Sequence, residues 1–281
     1  MSIVPFQALA CPLDGAPLHC HGSTWGCAAG HSFDIASHGY ANLLPVQQKR
    51  SLDPGDSKEM VAARRRFLNA GHYQPIAAAV SRAALADIPA AATISCLDAG
   101  CGEGYYLRQL ATAPGKEQTL AVLGLDISKW AVLSAAKQDR RPNWIVGSNA
   151  NLPVLPARLD LVLCLFGFPV YAEFARVLKP GGQLLQVDAG PDHLRELREI
   201  IYPALKPERS AEMSVPAGFC HLATEAVRFQ LAIDGAEQIA DLLAMTPHLY
   251  RASAEGRARA AALTALAVSV DVRLMRFGRE A

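Results

Sequence analysis

The chain of 281 residues carries 27 Lys+Arg against 26 Asp+Glu, is 51% hydrophobic and 19% charged, and holds 21 Gly, 18 Pro and 7 Cys. Such a mixture bounds one large or two modest globular domains and excludes disorder, collagen and coiled coil. A formal net charge of +1 excludes a protein held to nucleic acid by bulk charge and leaves only local basic patches for that role.

The seven cysteines are odd in number and too sparse for a disulfide scaffold, which points to a reducing, cytoplasmic setting. The first residues carry no basic n-region, and no apolar run reaches the roughly 18 residues of a bilayer span. The expectation is a soluble, untargeted protein without a membrane partner.

Residues 1–45 hold three of the seven cysteines and four of the eight histidines, with much Gly and Pro and no sustained helical period. So short a module buries too little to fold alone, so a metal or packing against the remaining chain is expected. Cys11-Pro-Leu-Asp14 and Cys27-Ala-Ala-Gly-His31 begin 16 residues apart, the separation of two knuckles closing on tetrahedral zinc. Asp14 stands where a second cysteine is expected and replaces a soft thiolate by a hard oxygen, which weakens the site. Cys20, between His19 and His21, is an alternative ligand. A zinc-loaded ribbon and a metal-free one both remain open.

Residues 46–90 read as a helical linker. Asp53-Pro54-Gly55-Asp56 is a turn, Ser57 or Asp56 caps a helix that ends at Gly71, and six basic residues between Lys49 and Arg66 face three acidic ones. Lys49, Arg50, Arg64, Arg65 and Arg66 form a candidate phosphate-binding patch, against the alternative of a solvated helix face.

Residues 91–281 form the third unit. TISCLDAG, AVLGLD, NWIVG and LDLVLCLF alternate with helical segments, which implies a parallel sheet covered on both faces. LLQVDAG follows Lys179-Pro180-Gly181-Gly182, a helix spans Asp192 to Ile200, and Val268, Val270, Val272 and Leu274 alternate with polar residues as an antiparallel edge strand would. The fold class is α/β, a doubly wound Rossmann-like sheet, mostly parallel, with a small zinc-ribbon-like module at the amino terminus.

Cys96-Leu97-Asp98-Ala99-Gly100-Cys101-Gly102-Glu103-Gly104 closes the first of these strands and opens a helix, placing three glycines where backbone must approach a ligand. Asp126 ends the second strand, where a carboxylate can accept both hydroxyls of a ribose. LDAGCGEGYY, LGLDIS and LKPGGQLL together resemble motifs of the class I S-adenosylmethionine-dependent methyltransferases over about Thr93 to Asp188. That resemblance implies that Gly100 and Gly102 approach the methionine portion of the cofactor, with Asp98 and Glu103 in the same motif. It implies that Asp126 holds the ribose and that Ser148 and Asn149 line the adenine pocket.

CPLDGAPL, CAAGHSFDIASHGYANLLPVQQKRSLDPGDSKEMVAARRRFLNAGHYQPI, GPDHLRELREIIY and LLAMTPHLYRA extend the match through nearly the whole chain. With them the sequence resembles the RlmA family of 23S ribosomal RNA guanine-N1 methyltransferases. The resemblance implies methyl transfer to N1 of a guanine in a 23S rRNA hairpin, at the guanine-745-type site. It further implies zinc on Cys11, Asp14, Cys27 and His31, cofactor contacts from Tyr73 and His193, and a homodimer whose paired modules cleft the RNA.

Guanine N1 carries a proton at neutral pH, so a base or electrostatic partner must help remove it. Asp188 at a strand end is the candidate base, and Phe166 and Phe168 in the following loop of another strand are candidates to stack the target. Two other readings compete: a methyltransferase acting on a small-molecule acceptor, and a non-enzymatic ribbon on a methyltransferase scaffold.

Overall fold

The computed structural model describes residues 2–48, 51–86, 92–113, 118–205 and 214–280; Lys49 and Arg50 of the expected basic patch lie outside them. In chain order the elements are β1 (Ser2–Pro5), β2 (His19–His21), β3 (Thr24–Gly26), β4 (Ser32–Asp34), β5 (Tyr40–Asn42), α1 (Lys58–Asn69), α2 (Gln74–Leu85), β6 (Thr93–Ala99) and α3 (Tyr105–Thr112). There follow β7 (Thr119–Asp126), α4 (Lys129–Gln138), β8 (Asn143–Val146), β9 (Leu159–Leu165), α5 (Tyr171–Val177), β10 (Leu178–Ala189) and α6 (Arg195–Ile201). The last are β11 (Phe219–Asp234), α7 (Ala236–Ala244), α8 (His248–Arg251), α9 (Ala254–Ala261) and β12 (Ala265–Arg279).

One sheet runs β11-β12-β10-β9-β6-β7-β8-β5, parallel from β5 to β10 and antiparallel across β12 and β11. The centre, β6 and β9, is an almost unbroken apolar run because helices cover both of its faces. From β6 the chain builds outward through β7 and β8, then returns with β9 to the other side of β6. That reversal opens a crevice beyond the carboxyl ends of β6 and its neighbours, where ligands of open α/β sheets bind.

The amino-terminal segment is woven into this sheet. β1 pairs in parallel with Thr119–Val122 of β7, and β8 takes Leu123–Asp126 of the same strand, so β1 and β8 share one edge end to end. β5 adds in parallel to β8, while β2, β3 and β4 make a separate three-stranded antiparallel sheet carrying the cysteine module. α1 starts where Ser57 Oγ accepts the Met60 N–H at 3.3 Å.

Two features depart from the sequence reading. β11, a 16-residue strand, gave no strand signal because most of its side chains face solvent on both sides, and it forms the sheet edge outside β12. In β12 the alternation places Asp271 on the open face, yet Asp271 is buried at 2% exposure. The loop before α6 covers it: the Asp192 N–H reaches Asp271 Oδ2 at 3.3 Å, and Arg228 Nε donates to Oδ1 at 2.8 Å.

Candidate functional site

The glycine-rich turn after β6 takes positive φ at Gly100 (102°), Gly102 (55°) and Gly104 (81°), so side chains other than hydrogen would be strained there. A Cβ on Gly100 would meet nothing within 4 Å, so the backbone borders open space. Asp126, half-buried at the end of β7, accepts the Gly102 N–H at 2.9 Å on Oδ2 and the Ser128 N–H at 2.8 Å on Oδ1. Those bonds leave half of an ionised carboxylate's acceptor sites free for two hydroxyls. Burial raises the Asp126 pKa, while the two N–H donors pull it down.

Asp98 stands 1% exposed with neither carboxylate oxygen hydrogen-bonded. Burial first, then the Asp126 charge, pushes its pKa up to about 8. Buried polar groups are ordinarily satisfied, so an orphaned carboxylate beside open glycine backbone marks a place for a cationic donor. Asn149 Oδ1 is likewise buried and unpaired, while its Nδ2 donates to Ala99 O and Phe168 O at 3.4 and 3.3 Å. Ser148 Oγ accepts the Ala150 N–H at 3.2 Å and bends the loop beside it. These three acceptors fit S-adenosylmethionine, whose ammonium, adenine amino and ribose hydroxyl groups are donors.

Glu103 is placed differently. Its carboxylate is fully buried on the helix side of the turn, where Arg108 Nη2 donates at 2.9 Å and Gln138 Nε2 at 2.6 Å. It ties the turn to α3 and α4.

Tyr73 and His193 come together although 120 residues separate them: Tyr73 Oη and His193 Nε2 are 3.3 Å apart, and the Asp271 N–H donates to His193 Nδ1 at 3.3 Å. With Nδ1 accepting, Nε2 carries the proton and donates to Tyr73, which frees the phenolic proton for a third group. Burial lowers the His193 pKa to about 4, so the imidazole is neutral at physiological pH. Phe166, in left-handed backbone at φ 55°, completes the cluster with ring centroids 6.5 Å from Tyr73 and 6.0 Å from His193. Phe168, two residues on, is 88% exposed. Asp188 is half-buried; Gln186 Nε2 holds its Oδ2 at 2.6 Å, and burial raises its pKa.

The basic patch does not stay together as free charge. Arg64 pairs with Asp56 and donates to Met245 O at 2.8 Å, and Arg66 forks onto Asp241 at 2.8 and 2.5 Å. Arg65 is exposed. The sequence offered no signal for Asp241, Met245 and Asp271 as partners, since each lies far along the chain from the residue it meets, and it marked Asp56 as a turn or cap residue and not as the partner of Arg64 eight positions on.

In the cysteine module, donor atoms of Cys11, Asp14, Cys27 and His31 all lie within 4.8 Å of one another. His31 Nδ1 is 3.4 Å from Cys11 Sγ, 3.4 Å from Cys27 Sγ and 3.0 Å from Asp14 Oδ2; Cys27 Sγ is 3.4 Å from Asp14 Oδ2. Bonds of about 2.0–2.3 Å to tetrahedral zinc give donor separations of about 3.3–3.8 Å, so the four atoms fit one ion. Cys20 is exposed on β2, outside this group, with its Sγ 3.7 Å from Gly22 O.

Residues 9–52 match the family described as RlmA, N-terminal, and residues 96–182 match a methyltransferase domain. A 23S rRNA (guanine(748)-N(1))-methyltransferase of Streptomyces fradiae is 32% identical over 89% of both chains. The chain belongs to the RlmA family of 23S rRNA (guanine-N1)-methyltransferases. A Micromonospora griseorubida protein, provisionally named a 23S rRNA (guanine-N(1)-)-methyltransferase, is 34% identical over 96% of both chains. This RlmA-family chain therefore matches both relatives across ribbon, linker and sheet together. No helix among its described residues is long and apolar enough to cross a membrane.

Proposed function

We propose that this chain transfers the methyl group of S-adenosylmethionine to N1 of a guanine in a 23S rRNA hairpin. The observation that carries the reading is the unpartnered Asp98 carboxylate beside the open glycine turn, in a chain that aligns from ribbon to last strand with rRNA methyltransferases. Bound there, S-adenosylmethionine supplies an electrophilic methyl group.

Asp98 holds the ammonium, Asp126 the ribose hydroxyls, Ser148 and Asn149 the adenine edge, and Gly100 and Gly102 let the ligand approach backbone. Tyr73 offers its phenolic proton, oriented by neutral His193. Asp188 accepts the N1 proton of guanine: burial strengthens it as a base, and Gln186 engages one oxygen and leaves the other open. Phe168 and Phe166 stack the extruded base, since exposed aromatics at the carboxyl end of β9 suit a flipped nucleotide.

Arg65, with Lys49 and Arg50, holds phosphates. Cys11, Asp14, Cys27 and His31 hold zinc, which fixes the ribbon against the hairpin. The rRNA substrate sets the protein in the cytoplasm, and a homodimer is the assembly that the family resemblance implies. The name of the S. fradiae relative specifies guanine 748, and for this chain we retain the 745-type site. Nucleoside analysis of hairpin RNA after reaction tests the reading: 1-methylguanosine supports it, and a methyl group on any other atom overturns it.

A further inference from the structure

We propose that Arg64 is a positioning residue for the cofactor: its guanidinium, set beside Gly102, faces the Asp126 carboxylate and clamps the linker turn over the ribose-binding loop. This rests on the reading of Asp126 as the ribose acceptor.

Three segments distant in sequence converge at this guanidinium. Arg64 leaves α1, pairs through Nη1 with Asp56, and donates through Nη2 to Met245 O at the end of α7. Its Cδ and Nη1 lie 4.0 Å from where a Cβ on Gly102 would stand, and Gly102 is the residue whose N–H bonds Asp126. The turn holding Asp56 is pressed on the loop after Asp126: Ser128 Oγ donates to Asp56 O at 2.7 Å, and a Cβ on Gly55 would fall 2.9 Å from Ile127 and Ser128 side-chain atoms. Gly55 also sits at φ 85°, so only glycine suits that contact.

The titratable and charged groups facing Asp126 come from each packed element. β6 contributes Asp98, the glycine turn the Cys101 thiol, the linker turn Asp56, and α1 contributes Arg64. Burial and the Asp56 carboxylate favour a protonated Asp126, whereas the Ser128 and Gly102 N–H donors and Arg64 favour the anion. Only the anion can accept two backbone N–H groups and two ribose hydroxyls, because a protonated carboxyl gives up acceptor capacity. Arg64 thus acts through Asp126 and need not touch the cofactor or RNA.

The test is the ratio of affinities for adenosine and 2′-deoxyadenosine, measured by calorimetry from pH 5 to 9. That ratio reads the ribose contact and omits the ammonium contact at Asp98. Asp126→Asn comes first: a ratio that collapses toward one upholds the ribose reading, and an unchanged ratio overturns that reading and this inference with it. Given the collapse, Arg64→Met should move the pH midpoint of the ratio up, and Asp56→Asn should move it down. Arg64→Lys, which keeps the charge, should hold the wild-type midpoint. A clamp of purely structural kind predicts that Arg64→Met and Asp56→Asn both weaken binding with no opposed shifts, and that result would overturn the proposal. If Arg64→Met does not fold, Arg64→Gln takes its place: an upward shift supports the proposal and a static midpoint overturns it.

Discussion

The Gly102 N–H donates to Asp126 Oδ2 at 2.9 Å and joins the glycine turn after β6 to the carboxyl end of β7. One carboxylate therefore shapes the turn and presents its remaining lone pairs to the crevice. Asp126→Ala removes both roles. Affinity for S-adenosylhomocysteine should fall about 10- to 100-fold, the range for losing hydrogen bonds to a charged acceptor, as read by calorimetry. Unchanged affinity would remove Asp126 from the site.

Asp98 makes stability depend on pH in an unusual direction. Its folded pKa of about 8 lies above the unfolded value near 3.9, so the ligand-free protein keeps a proton that the unfolded chain releases. The associated stability is complete below about pH 4 and is lost as pH rises through about 8. Melting temperatures of ligand-free protein should decline across that window, and Asp98→Asn should flatten the decline while abolishing cofactor binding. Equal slopes in both proteins would contradict the assignment.

His193 runs the other way. Burial depresses its folded pKa to about 4 from about 6.5, so the stability it contributes is present above pH 6.5 and is lost as pH falls through 4. An imidazole titration followed by NMR should show a midpoint near the lower value, and a midpoint near 6.5 would mean the ring is solvated.

Much of the fold was legible because its signals are local. Continuous apolar runs marked β6 and β9, the glycine turn marked the crevice, and the pair Asp56-Ser57 marked the start of α1, with Ser57 proving to be the cap. β11 was not legible, since a solvent-exposed edge strand shows no apolar alternation. Asp271 misled for the opposite reason: its period is that of an open face, and only the loop before α6 buries it. Within the site, residue types were readable and their pairings were not. Glu103 lies in the cofactor motif yet bonds Arg108 and Gln138, and Arg64 lies in a basic run yet bonds Asp56 and Met245.

That sorting predicts different behaviour for adjacent arginines. Arg65→Ala should weaken hairpin binding and reduce the salt slope by about one, because a phosphate contact is lost. Arg66→Ala should lower the melting temperature by breaking the fork with Asp241, and should leave the salt slope unchanged. Identical salt slopes for Arg65→Ala and wild type would remove Arg65 from the RNA surface.

For the ribbon, elemental analysis of protein purified without added metal should find one zinc per chain. Asp14→Cys should tighten the site in competition with a chromophoric chelator, since a thiolate replaces a carboxylate in the same geometry. Metal-free protein with an intact ribbon would contradict the four-donor assignment.

Methyl transfer to guanine N1 in 23S rRNA is read most directly by following labelled methyl from S-adenosylmethionine into unmodified 23S rRNA, with its position mapped by primer extension. One strong stop should appear at a hairpin guanine that yields 1-methylguanosine, and it should be lost in Asp98→Asn. Cofactor binding without any transfer to this RNA would contradict that activity.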